Sequence, residues 1–222
     1  MINKIKTGIM LCRYGFSFKS NVAGALIFMV LGIVMQINMI NDGMSFLGSV
    51  YIVLSAVFMY QLICSVTIST MIQTSGYKKQ LQTLIPTITS VPFMMFMYTV
   101  CVIMYFFMKS GNGEFAIKNL LLTAIFVFFM EVYTGTAYKY FVVSMGIMLV
   151  CLYAFMFNSD RIMEKLMGIL SSLSLNSFGA VIVIGYVAIV VGGVLEYLLS
   201  CLFYKKPLSK LVFDAALKKA AR

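Results

Sequence analysis

Six stretches of nearly uninterrupted apolar residues recur along this chain, and each is long enough to cross a bilayer. They cover residues 22–40, 46–72, 90–108, 119–137, 140–157 and 178–204. A soluble core cannot hide so much apolar surface: 62% of the 222 residues are hydrophobic, only 11% are charged, and the mean hydropathy is +0.99. The expected fold class is therefore all-α, a polytopic membrane protein with six transmembrane helices. Residues 1–222 read as a single transmembrane domain.

The net charge of +10 is a topological signal here rather than a nucleic-acid signal, because no basic stretch is interleaved with exposed aromatics. With the N-terminus inside, the inner segments carry Lys4, Lys6, Arg13, Lys19, Lys78, Lys79, Lys139, Lys205, Lys206, Lys210, Lys218, Lys219 and Arg222. Lys109, Lys118, Arg161 and Lys165 lie outside. This asymmetry places both termini in the cytoplasm and argues against a five-span count, which would put the basic tail outside.

The flanking segments have their own patterns. Ile2, Ile5, Ile9, Cys12 and Phe16 recur at helical spacing among four basic residues, which predicts an interfacial amphipathic elbow helix over 1–19 rather than a cleaved signal peptide. Ile162, Leu166, Ile169, Leu170 and Leu173 form an apolar stripe in 158–177, interrupted by Gly168 and by Ser171, Ser172 and Ser174. That segment reads as a helix, or a broken helix pair, in the outer leaflet. Between Gly76 and Pro86 a short polar-basic cytoplasmic helix is expected over 76–87. Residues 205–222 form a basic cytoplasmic tail.

Candidate functional residues are few. The absence of histidine removes Ser-His and Cys-His nucleophile pairs, HExxH zinc sites and histidine-ligated haem. Cys12, Cys64, Cys101, Cys151 and Cys201 are dispersed and read as small buried hydrophobes, so neither a disulfide framework nor a metal site is expected. There is no GxxxxGK[ST] phosphate loop, so the chain is not expected to hydrolyse ATP or to act as an enzyme by itself. Two acids fall inside spans, where a charge is a functional hypothesis by default. Glu196 lies nine residues before Lys205, about 13 Å into its helix. It reads as protonated, hydrogen-bonded to a neighbouring helix, or lining a watery cavity. Glu131, eight residues before Lys139, reads as interfacial, snorkelling inward or pairing with that lysine. Ala188 and Gly192 form a small-xxx-small pair that favours packing within the bundle.

The basic elbow, the six spans, the segment Tyr77-Lys78-Lys79-Gln80-Leu81-Gln82-Thr83 after span two and the helical insert before span six together form a layout. That layout resembles the short permease subunits of bacterial ABC exporters, and among these the permeases of the phenol-soluble-modulin exporter type. The resemblance covers the whole chain in layout and is sharpest over 75–87. It implies a plasma-membrane permease that forms the path for an amphipathic or hydrophobic substrate such as a peptide. It further implies a second permease subunit, identical or not, and separate ATPase subunits holding ATP and Mg, with residues 77–83 coupling the two. Membrane lipid is a partner and nucleic acid is not. The competing functions are a stand-alone ion- or proton-coupled carrier or channel using Glu196, and a non-transporting immunity or interaction protein.

Overall fold

The computed structural model describes Lys6 and Met10 and residues 18–38, 46–68, 76, 78–108, 113–137, 139–157, 159–172 and 177–206. Among the described residues all regular structure is helical. The helices are α1 (Phe18–Asn38), α2 (Phe46–Ile68), α3 (Lys78–Met108), α4 (Gly113–Ala137), α5 (Phe141–Phe157), α6 (Ser159–Ser172) and α7 (Phe178–Phe203). The expected elbow over 1–19 and the tail after residue 206 lie outside the described residues.

Among the described residues four helices, rather than the expected six, are both long and apolar enough to cross a membrane: α1, α3, α4 and α7. The apolar stretches that qualify in α2 and α5 are shorter, Phe46–Tyr60 and Val142–Ala154. For α5 the physical reason is length; α2 itself runs 23 residues. At 1.5 Å per residue, the 17 residues of α5 rise only about 26 Å, just short of a hydrocarbon core about 30 Å thick.

The second correction concerns the start of α3. No separate short helix stands at 76–87, because Lys78–Met108 is one continuous helix with Pro86 and Pro92 inside it. Proline removes a backbone N–H and ordinarily breaks a helix. The helix runs on through both, and hydroxyls along these turns bond back to carbonyls of α3 itself: Thr83 to Lys79 at 2.8 Å, Thr87 to Thr83 at 3.1 Å, and Thr89 to Ile85 and Pro86 at 2.8 and 2.9 Å. By contrast, the insert expected over 158–177 contains a helix, α6, whose Ile162, Leu166 and Met167 pack on the core.

Helix directions follow from which side chains meet. Gly24 of α1 faces Phe58 of α2, while Gly32 faces Gly48 and Ile52, so α1 and α2 are antiparallel. Ser49 meets Tyr105 at 2.6 Å and Ser55 meets Met97 at 3.3 Å, so α2 and α3 are antiparallel as well. The α3 residues Val91 and Tyr98 touch Gly193 and Gly185 of α7 in reversed order. By contrast α4 and α7 run parallel, as do α2 and α4, where Phe46 stacks on Phe126 and Tyr60 donates to the Thr134 carbonyl. One end of the bundle therefore gathers the α4–α5 turn, the starts of α1 and α3 and the ends of α2 and α7. α6 lies at the opposite end, in the connection from α5 to α7. The core runs along α2, α3, α4 and α7, and includes Ile52, Tyr98, Leu120, Met130 and Ile189. The outward faces of α1, α5 and α7 remain apolar, as lipid requires: Leu31, Val150 and Val187 are among their exposed residues.

Candidate functional site

Among the described residues α4 and α7 pack closely along their length as a parallel pair. Its sequence basis is a reciprocal spacing. On α4, Glu131 precedes Gly135 by four residues; on α7, Gly192 precedes Glu196 by four. Residues four apart share a helix face. Each glutamate therefore lies over the other helix's glycine. A Cβ on Gly192 would stand 2.9 Å from Cβ of Glu131, and one on Gly135 would stand 2.9 Å from Cα of Glu196. Gly192 thus packs inside the bundle, as its small-xxx-small spacing predicts.

This packing brings the two acids together. Glu131 and Glu196 are both fully buried and are neighbours across the seam between the two helices. Ser90 of α3 donates to Oε2 of Glu196 at 2.7 Å, while the hydroxyls of Thr87 and Thr134 nearby donate to the backbone carbonyls of Thr83 and Glu131. Both oxygens of Glu131 and Oε1 of Glu196 meet no partner at strict hydrogen-bond geometry among the described residues. Neither acid forms an ion pair there; the one ion pair found joins Lys118 to Glu114 at 3.1 Å. Glu131 is therefore neither an interfacial snorkelling residue nor the partner of Lys139.

Lys139 is engaged elsewhere. From the α4–α5 turn its Nζ donates to the carbonyls of Lys206 at 2.7 Å and Tyr204 at 3.5 Å, closing the last turn of α7. Tyr140 stacks edge-on against Phe203 beside it. Burial, with a smaller contribution from the nearby Lys78 charge, pushes the Lys139 ammonium down to about 8. The sign of the pH effect follows. Between about pH 8 and the ordinary lysine range the unfolded chain holds a proton that the folded chain has released, so folded-state stability rises with pH through that window. Below it both states are protonated and the dependence vanishes. A Lys139→Gln variant should lose this rise, which thermal melting in detergent at a series of pH values would read.

The segment expected to couple to an ATPase divides between two environments. Tyr77 lies outside the described residues. Lys79 and Gln80 are exposed, while Lys78 and Leu81 are half-buried. Gln82 and Thr83 are buried, and both polar atoms of the Gln82 amide lack a partner among the described residues. With Thr87 and Ser90 they form a buried polar line on α3 leading from the turn end towards Glu196. The sequence marks each acid singly; what it shows of their pairing is only the matched Glu-x3-Gly and Gly-x3-Glu spacing, which needs the knowledge that these two helices are neighbours in register to be read.

No group of three or more His, Cys, Asp or Glu able to hold a metal ion occurs among the described residues. An apolar cleft of about 350 Å³ opens between α4 and α5 above their turn, lined by Phe129, Tyr133, Val143, Ile147 and Cys151 among others. Comparison of the chain with protein-family models, with curated proteins and with solved structures finds no match. What the sequence and the structure establish together is a multi-pass α-helical membrane protein with a paired-carboxyl site in its bundle.

Proposed function

We propose that this chain is the permease subunit of an exporter whose energy comes from separate ATPase subunits, and that it lies in a bacterial plasma membrane. The observation that carries this reading is the polarity of the bundle. The end that holds the start of α3 carries Lys19, Lys78, Lys79, Lys139, Lys205 and Lys206 and no acid among the described residues. At the opposite end Lys118, Arg161 and Lys165 are accompanied by Glu114 and Glu164. The positive-inside rule makes the first end cytoplasmic, the side where ATP is found, and leaves α6 external. Alternating helix directions support six crossings, with α2 and α5 spanning despite their shorter apolar stretches. A basic helix start on the ATP side and an amphipathic insert before the last span are features of the layout that the resemblance implies. The substrate class is amphipathic or hydrophobic, peptides included. Two such subunits form the path, and catalysis, with ATP and Mg, resides in the partner.

In this reading the docking face is narrower than residues 77–83, since Gln82 and Thr83 turn into the bundle. Tyr77 and Leu81, four apart, supply the anchor, and Lys78 and Lys79 steer an acidic rim. Replacing Tyr77 and Leu81 by alanine should remove a hot spot of about 2 kcal/mol, roughly a thirtyfold loss of affinity. Co-purification of the ATPase and substrate-stimulated ATP hydrolysis in proteoliposomes measure this. Retention of both by the double variant, correctly inserted, would count decisively against an ATPase-driven permease.

The Glu131–Glu196 contact favours a second reading, a stand-alone proton-coupled carrier. It requires transport without nucleotide that collapses with the pH gradient. The same proteoliposomes, assayed without any ATPase, separate the two.

A further inference from the structure

We propose that Glu131 and Glu196 form a two-carboxyl proton-binding site, in which Glu131 is the acid and donates its O–H to a Glu196 carboxylate. This does not depend on which energy source drives transport. Two bare carboxylates in contact, without a cation between them, repel each other at a depth where even one is costly. One proton held in common removes the repulsion and supplies a hydrogen bond between the two groups. Its location follows from the surroundings. Glu196 already accepts from Ser90 at 2.7 Å, a donor that stabilises an anion there, while the nearby Thr87 and Thr134 hydroxyls donate to the carbonyls of Thr83 and Glu131. Glu131 is fully buried and aimed at Glu196, with neither of its oxygens meeting a donor among the described residues. A carboxylate there would be unsolvated, whereas a neutral acid has a single O–H to place, and Glu196 is its acceptor.

The facing elements leave the site electrostatically isolated. From α3 it is faced by hydroxyls, with Lys78 and Lys79 at that helix's start. On α4 the charges besides Glu131 are Glu114 and Lys118, near the other end of the helix, and Lys139 follows its last turn. On α7, Tyr197 is partly exposed, and Cys201 lies a further turn towards Lys205 and Lys206. From α2, the Tyr60 hydroxyl is bound to the Thr134 carbonyl. A proton is thus the simplest neutralising ligand.

Infrared spectroscopy of the full chain reconstituted in lipid reads this without requiring access to the site. At neutral pH the wild type should show the C=O stretch of a protonated carboxylic acid. Glu131→Gln should abolish the band, because the Gln side-chain N–H groups then solvate Glu196 as an anion. Glu196→Gln should retain it, shifted, because the Gln carbonyl still accepts from Glu131. Ser90→Ala, which keeps both acids, should shift the wild-type band by withdrawing a donor from the carboxylate. A wild type with no acid band, a band that survives Glu131→Gln, or a band removed by added sodium chloride at constant pH would each overturn the assignment, the last in favour of a metal cation. An unshifted band in Ser90→Ala would also overturn it, and that measurement stands even if Glu131→Gln fails to fold.

Discussion

Valine at position 135 should separate α4 from α7 and unfold the bundle more readily than any surface change. A Cβ placed on Gly135 would lie 2.9 Å from Cα of Glu196, 3.1 Å from its carbonyl oxygen and 3.3 Å from Cβ of Leu199. Two of these three atoms belong to the α7 backbone, which cannot rotate aside as a side chain can. Overpacking of this kind costs roughly 1–3 kcal/mol, and a branched side chain against backbone belongs at the upper end. Alanine at the same position should cost less, since it adds only the Cβ. The control is Gly146 of α5, around which nothing lies within 4 Å. Gly146→Ala should be neutral or stabilising by up to about 1 kcal/mol, because glycine is a poor helix former. Thermal unfolding in one detergent measures both. Equal melting temperatures for Gly135→Val and Gly146→Ala would mean that α4 and α7 do not approach at this seam.

That seam also shows what could be read without coordinates. Apolar run length gives the all-α membrane class directly, and it places α4 and α7 to within a few residues, because a span must bury its backbone internally whatever surrounds it. Run length does not decide which apolar helices are full spans, since a 17-residue α5 differs from a crossing helix only by a turn. Nor does it foresee α3, where the chain carries Gly76 before and Pro86 within what looks like a short independent helix. Both signals report local backbone chemistry; the packing that buries Gln82 and Thr83 on the continuous helix is supplied by its neighbours. The site was half legible. Depth along a helix marks Glu196 as buried, but the same reasoning places Glu131 near the interface and pairs it with Lys139. Lys139 instead closes the end of α7, and Glu131 meets Glu196, because α4 and α7 run parallel and in register through their glycines. The six-span topology already makes these two spans parallel; which spans are neighbours, and in what register, is a tertiary property that one sequence does not carry.

Reversing the charge of both acids at once should abolish the folded protein, while reversing either alone should not. Lysine at 131 or at 196 retains a Cβ and a Cγ like those of glutamate, so the packing of the Glu131 Cβ and Cγ over Gly192, where a Cβ would stand 2.9 and 3.2 Å from them, is preserved in outline. In Glu131→Lys the new ammonium meets the Glu196 carboxylate, which still accepts from Ser90; in Glu196→Lys it meets Glu131. Each single variant exchanges two acids for an opposite-charge pair. Such pairs offset much of their desolvation when the geometry is close, so each should fold with reduced stability. The Glu131→Lys, Glu196→Lys double variant places two cations in a fully buried contact that has no acid to neutralise them. Like charges in low dielectric and unpaired burial then add, and removing the partner of a buried charge alone costs about 3–5 kcal/mol. For a marginally stable bundle, a loss of that size on top of two lysine burials should prevent accumulation in the membrane. The quantity to measure is the monodisperse yield of the four proteins after detergent extraction. If the double variant accumulates as well as the singles, the two side chains are not in contact, and the pairing of α4 with α7 through their acids fails with it.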